Sequence, residues 1–205
     1  LIATFHALTT IQRGRGLRRL TQDVAMNCLA FGIDPKRSVL FRQSDVPQVC
    51  ELTWMLSCVT PMGLLERCHA YKDKVAQGIP SDHGLFAYPV LMAADILIYD
   101  SDVVPVGKDQ KQHVEVARDL ALKFNETFGE TLKVPEPYIM PNVAVVPGVD
   151  GRKMSKSDGN QIAVFDTESS IKKKIMSIVT DSTPVEDPKD PDTCNVFALY
   201  KLFAT

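Results

Sequence analysis

Two lysines three residues apart, Lys153 and Lys156, stand in the run Lys153-Met154-Ser155-Lys156-Ser157, with small hydroxyl residues between and after them. Gly151 lies just before the run and Asp158-Gly159-Asn160 follows it. Glycine and asparagine end regular structure, and serine competes for its own backbone, so the run predicts a mobile loop. Such a loop, closing on a polyphosphate, sets two cations where a leaving pyrophosphate gains charge in the transition state. By composition alone, a solvated surface turn is the commoner fate of such a stretch.

A second group is Tyr88, Met92 and Asp95, whose i, i+4, i+7 spacing puts them on one helix face. Their neighbours Val90, Leu91, Ala93, Ala94, Ile96, Leu97 and Ile98 predict a helix buried almost all round. A carboxylate in that setting needs a hydrogen-bond donor or a cation. Two readings stay open. Asp95 caps a neighbouring loop or pairs with an arginine; or it is the one acceptor in a small-molecule pocket with an aromatic wall and a polarizable thioether. Such a pocket suits a flat apolar ligand with a single N–H or O–H.

In Val104-Pro105-Val106-Gly107-Lys108-Asp109-Gln110 a strand ends at a glycine and a helix begins at once. That junction lets a ligand approach the backbone near helix N-terminal amides, although the same junction is often only structural. It is not a P-loop. His6 follows the first apolar run, as a structural histidine or at a ligand edge. His69, His83 and His113 show no metal-ligand spacing, and no metal site is expected. Arg13, Arg15, Arg18 and Arg19, and Lys172 to Lys174, could meet phosphates or form solvated faces.

The elements that must position these groups alternate in type. Leu1–Phe5, Ser38–Phe41 and Val103–Val106 read as strands. Helices are predicted over 17–31, closed by Gly32, then 47–59, 62–77 ended by Gly78, and 84–98. A long amphipathic helix opens at Asp109, and a further one runs from Asp166 or Thr167 to Val179. Residues 128–150 look Pro-rich and irregular, with a strand at 143–146; 181–193 read as a loop and 197–203 as a helix. Short strands alternating with helices predict an α/β fold with a parallel sheet, whose ligands sit at the carboxyl ends of the strands.

Bulk composition excludes several classes. At 45% hydrophobic and 23% charged residues the chain can bury a sizeable core. A net charge of −2 gives no global basic field, so RNA contact would use local patches. Five cysteines without a Cys-x-x-Cys read as reduced thiols rather than disulfides or a zinc site. No run is long and apolar enough to span a membrane. Leu1 in place of Met, and a helix under way near the last residue, lead us to expect a fragment.

Together these segments resemble the bacterial-type tryptophanyl-tRNA synthetases, class I aminoacyl-tRNA synthetases whose signature loop is Lys-Met-Ser-Lys-Ser. The resemblance runs in order along almost the whole chain: Phe5-His6-Ala7-Leu8-Thr9-Thr10, Gly63 to Arg67, Tyr71 to Lys74, Tyr88 to Leu97, Val104 to Glu115, and Lys153 to Asp158. Tyr88 to Leu97 is its most specific block. Thr4 departs from it, standing where many relatives carry an acidic residue before the histidine.

The resemblance implies a Rossmann-like parallel sheet flanked by helices, then the start of an α-helical domain. It divides the chain into a catalytic domain over 1–152, a loop and connector over 153–166, and the start of an anticodon-binding helical domain over 167–205. The family's N-terminal ATP motif and most of its helical domain are expected outside these residues. It implies ATP-dependent activation of L-tryptophan and transfer to tRNA(Trp) by a cytoplasmic homodimer, with helices at 47–77 near the interface. On this sequence Asp95 would accept the indole N–H. Tyr88, Met92, His6, Val104 and Val106 would line the pocket, and Gln110 would hold the amino acid. Gly107, Lys108, Asp109 and the loop Lys153, Met154, Ser155, Lys156 and Ser157 would contact ATP. Lys153 and Lys156 would neutralise its phosphates, bridged by Mg2+. The alternatives are a tyrosyl-type synthetase, or a non-catalytic relative that binds tryptophan or RNA.

Overall fold

The structure, a computed structural model, describes the chain except residues 12–13, 69–70, 73–81, 108–109, 140–145, 156–157, 185, 203 and 205. Two compact units are present, Leu1–Pro141 and Asn142–Thr205.

The first unit departs from expectation at once. Instead of a strand over Leu1–Phe5, only Ile2 pairs, in a parallel bridge with Arg42. The chain then turns into a short helix, α1 (Thr4–Ala7). The reason lies in the amides of its opening turn, which a helix cannot satisfy internally. Gln43 Oε1 accepts the N–H of Phe5 at 2.8 Å and of His6 at 3.3 Å. Ser38–Phe41 is not a strand either: Val39 is 85% exposed, and pairing is confined to Arg42. A 3-10 turn over Gln43–Asp45 follows. Its Asp45 carboxylate accepts the backbone N–H and the guanidinium of Arg42, which hold its pKa below the usual range.

Helix α2 (Gly14–Ala30) is amphipathic and ends at Gly32, whose φ of +91° a side chain would resist. Pro47 precedes α3 (Gln48–Val59), and Pro61 precedes α4 (Met62–Glu66). The chain is helical again at 71–72. The rest of the helix expected to 77, with Gly78, lies outside the described residues.

Helix α5 (His83–Leu97) carries Pro89 within it. It packs against α3 and against α6 (Lys111–Phe128). The core at their junction includes Leu56, Val90, Ala93, Leu97, Ala117 and Leu120, all 2% exposed or less. Alanines at 93, 94, 117 and 121 let α5 and α6 approach closely, so this helix pair is the rigid frame of the unit.

Strand β1 (Val103–Pro105) lies between α5 and α6 in the chain. It pairs in parallel with β2 (Glu136–Tyr138), Val104 opposite Pro137. β2 falls in the stretch read as irregular, because Pro135 and Pro137 cannot donate to a ladder. It forms because α6 positions it: Arg118 donates to Pro135 O and to the Glu136 carboxylate, each at 2.5 Å. The predicted α/β class with a parallel sheet is what forms.

In the second unit, Pro147 bridges Lys153 antiparallel. The strand expected at 143–146 lies mostly outside the described residues. Helix α7 (Glu168–Met176) is capped by Thr167, whose hydroxyl accepts the Ser170 N–H at 3.3 Å. It ends before the predicted Val179. Helix α8 (Asn195–Tyr200) starts two residues before the predicted 197.

Candidate active site

Five residues from four segments of the chain meet at one face of α5. Asp95 is two turns along α5 from Tyr88, and both reach His6. The His6 Nε2 lies 3.0 Å from Asp95 Oδ2. The rings of His6 and Tyr88 meet edge to face, with centroids 6.1 Å apart. On its other side Tyr88 meets His113 of α6, 6.0 Å away in the same manner. The α5 spacing therefore does converge on one spot, and α1 and α6 close it from two sides.

The fifth residue is Gln43, which sequence reasoning missed. Its Nε2 donates to Asp95 Oδ2 at 2.6 Å. It is fully buried, although Arg42-Gln43-Ser44-Asp45 looks like an ordinary polar turn. The available signal was its place between an apolar run and the proline that opens α3. Thr4, where an acidic residue was expected, is also buried, and its hydroxyl accepts the Ser44 N–H at 3.0 Å. So α1 and the 3-10 turn are pinned together at two points.

The result settles one open question about Asp95. Its described partners are His6 and Gln43, not an arginine or a capped loop. Both bind Oδ2. Oδ1 is buried and has no hydrogen-bond partner among the described residues. A buried acceptor left unpaired is unfavourable by about 1–3 kcal/mol, which marks this atom as a candidate acceptor. Burial pushes the Tyr88 hydroxyl up to about 12, with the nearby Cys68 thiol adding to it. Tyr88 therefore stays a neutral aromatic wall at physiological pH.

The other predicted pocket residues are placed less tightly. Met92 is half-buried on α5, between Tyr88 and Asp95. Val104 is half-buried in β1, and the Val106 N–H donates to Tyr138 O at 3.0 Å beyond it. Gly107 accepts the Gln110 N–H at 3.0 Å, so Gln110 sits at the start of α6, three residues before His113. Lys108 and Asp109 lie outside the described residues. Arg18 lines an open groove of about 580 Å³ with Ile2, Phe5, Leu17 and Arg42.

In the second unit the lysine loop has a defined root. Asn160 is 3% exposed and binds both sides of it. Its Oδ1 accepts the Ser155 N–H at 2.7 Å, and its Nδ2 donates to Lys153 O at 3.1 Å and to Asp150 Oδ1 at 2.8 Å. Its backbone carbonyl accepts the Val149 N–H at 2.9 Å. Asp150 is held below the usual carboxylate range, first by Asn160 and then by Arg152. Lys156 and Ser157, at the tip, lie outside the described residues. Lys174 donates to Gln161 O at 2.7 Å, so that lysine of the basic run has a structural role. Among the described residues no cluster of three or more His, Cys, Asp or Glu could hold a metal. Among them, too, no helix is long and apolar enough to cross a membrane.

The sequence matches the model of the family described as tRNA synthetases class I (W and Y) over residues 1–197. It is 58% identical to the tryptophan–tRNA ligase of Fusobacterium nucleatum over 203 residues, 98% of this chain and 62% of that protein. For the Campylobacter jejuni tryptophan–tRNA ligase the identity is 57%, over 98% of this chain and 63% of the relative. The chain thus spans somewhat less than two thirds of these curated relatives. Its fold matches the crystal structure of C. jejuni tryptophanyl-tRNA synthetase complexed with ADP and tryptophan at a TM-score of 0.91, covering 100% of this chain and 64% of that one. The tyrosyl-tRNA synthetase of Archaeoglobus fulgidus, complexed with L-tyrosine, shares the fold at a TM-score of 0.62 and 20% identity.

Proposed function

The chain belongs to the class I tRNA synthetases of the W and Y family, and from that membership we propose that the protein carrying it activates L-tryptophan with ATP and attaches it to tRNA(Trp). One observation carries the choice of amino acid: the buried Oδ1 of Asp95, without a hydrogen-bond partner among the described residues, on the helix face that bears Tyr88. An indole N–H supplies the donor that this oxygen lacks. Phenylalanine supplies none, and would leave the acceptor unpaired. Tyrosine is the harder competitor, because its O–H could satisfy the same atom, and pocket shape must reject it. The identity of 57–58% to tryptophan–tRNA ligases also favours tryptophan.

In the first step a carboxylate oxygen of tryptophan attacks the α-phosphorus of ATP. The bond to the bridging oxygen breaks, and pyrophosphate leaves with that electron pair. Gln110 holds the amino acid, with Met92, Val104 and Val106 lining the pocket beside Tyr88 and His6. Gly107, Lys108 and Asp109 contact ATP. Lys153 and Lys156 neutralise the departing pyrophosphate, a contribution largest in the transition state. A pure binder needs no such lysines. Magnesium arrives complexed to ATP, as part of the substrate. A ribose hydroxyl of the tRNA then attacks the adenylate carbonyl and AMP leaves.

The same reading makes the protein a cytoplasmic homodimer. Trp54, Met55 and Met62 are 73%, 50% and 63% exposed on α3 and α4, and large apolar residues so placed mark an interaction surface. It also divides the chain into a catalytic part to 152, a loop and connector to 166, and the start of a helical domain beyond. Amino-acid-dependent exchange of pyrophosphate into ATP, measured on the full-length protein, tests the central reading. Exchange driven by tryptophan is expected. Exchange driven by tyrosine, or tryptophan binding without exchange, would overturn it in favour of the corresponding alternative.

A further inference from the structure

Gln43 is fully buried, and both ends of its amide are committed. Oε1 faces the two N–H donors of Phe5 and His6, at 2.8 and 3.3 Å. Nε2 faces Asp95 Oδ2 at 2.6 Å. A flipped amide would turn its NH2 group on two N–H donors and its oxygen on a carboxylate, so the network permits one orientation. Its own backbone N–H is also fixed, on Ile2 O at 2.9 Å.

A carboxylate turns broadly about its terminal torsion, with two equivalent oxygens to present. Asp95 is prevented from doing so, because both of its described donors bind the same oxygen. The two donors differ in stiffness. The His6 ring is held by Asp95 itself and by the edge of Tyr88, and its backbone N–H depends on Gln43. Gln43 is anchored at its other end by two backbone donors. The direction in which Oδ1 points is therefore set by Gln43.

We propose, on the tryptophan reading of Asp95, that Gln43 is a positioning residue which sets selectivity by holding Asp95 Oδ2 and leaving Oδ1 alone for the indole N–H. It touches the carboxylate and not the ligand. Its effect should therefore appear in discrimination by the N–H, rather than in ATP use or in the chemical step.

The test uses the full-length protein and two amino acids, tryptophan and 3-(benzothiophen-3-yl)-L-alanine, in which sulfur replaces the N–H. Binding and pyrophosphate exchange are measured for the wild type and for two variants. Gln43→Met keeps the length of the side chain and removes both hydrogen-bonding ends. Gln43→Glu keeps an acceptor for Phe5 and His6 but sets an oxygen against Asp95. The wild type should prefer tryptophan by roughly a hundredfold or more. Both variants should lose about tenfold or more of that preference, through the KM for tryptophan and with the KM for ATP unchanged. A merely structural role would weaken both amino acids alike and leave their ratio intact; that result, in either variant that remains folded, overturns the proposal. Should neither variant fold, Gln43→Asn, which keeps the amide on a shorter stem, is measured in the same way. A wild type that does not distinguish the two amino acids would instead overturn the role of Asp95, and this proposal with it.

Discussion

The side-chain amide of Asn160 spans the root of the lysine loop, accepting the Ser155 N–H at 2.7 Å and donating to the Lys153 carbonyl at 3.1 Å. One buried residue therefore closes the two backbone positions that flank Met154. The loop leaves from a base that this amide fixes. Asn160→Ala removes three side-chain hydrogen bonds at a 3% exposed site and should destabilise the region by about 1–3 kcal/mol. In the full-length protein, kcat for pyrophosphate exchange should fall while the KM for tryptophan holds. A raised KM for tryptophan with kcat unchanged would contradict this.

Gly148 is tied to the same residue by shape. A Cβ there would lie 2.4 Å from Asn160 Nδ2 and 2.5 Å from its Cγ. Gly148→Ala must push the Asn160 amide out of place, at about 1–3 kcal/mol. The side-chain clash vanishes in the Asn160→Ala background while the 2.9 Å approach to the Asn160 backbone oxygen stays, so the double variant should lose less than the sum of the single effects. Additive losses in chemical denaturation would show that Gly148 serves another purpose.

Asp95→Ala should abolish discrimination between tryptophan and its N–H-free analogue, and lower tryptophan-dependent exchange by roughly a hundredfold or more. It also strands the Gln43 and His6 donors, so a stability loss of about 1–3 kcal/mol should accompany it. Thermal denaturation separates the two effects. An unchanged preference for tryptophan over the N–H-free analogue would rule out the role given to Asp95.

Tyr88 gives a pH prediction. Its hydroxyl is raised from 10.0 to about 12 in the folded protein, chiefly by burial. The folded state then holds a proton that the unfolded chain releases above its ordinary pKa. Stability from this group is complete below about pH 10 and is lost as pH rises to about 12. Tyr88→Phe should flatten the alkaline limb of a stability–pH curve and leave the acid limb unchanged. Tyrosinate absorbance should show one tyrosine fewer among the late-titrating groups.

Much of the site was legible because local rules governed it. The period of α5 put Tyr88 and Asp95 on one face, and both do reach His6. Gly32 and Thr167 ended and capped the helices predicted for them, since caps are decided by a few neighbouring atoms. The α/β class, with its parallel pair of strands, followed from the alternation of elements.

What the sequence alone could not decide depended on partners distant in the chain. Whether Leu1–Phe5 became a strand or a helical turn was decided by Gln43, 38 residues beyond Phe5, which accepts that turn's amides. Whether Pro137 could join a strand was decided by Arg118 on α6, which holds the chain around it. Which oxygen of Asp95 accepts the donor of Gln43 was decided by a bond between residues 52 apart in the chain. Local propensity reads the backbone and its near neighbours, so it names elements and candidate chemistry. Hydrogen bonds of long sequence separation form only when the core brings their ends together, and in this protein those bonds aim the functional groups.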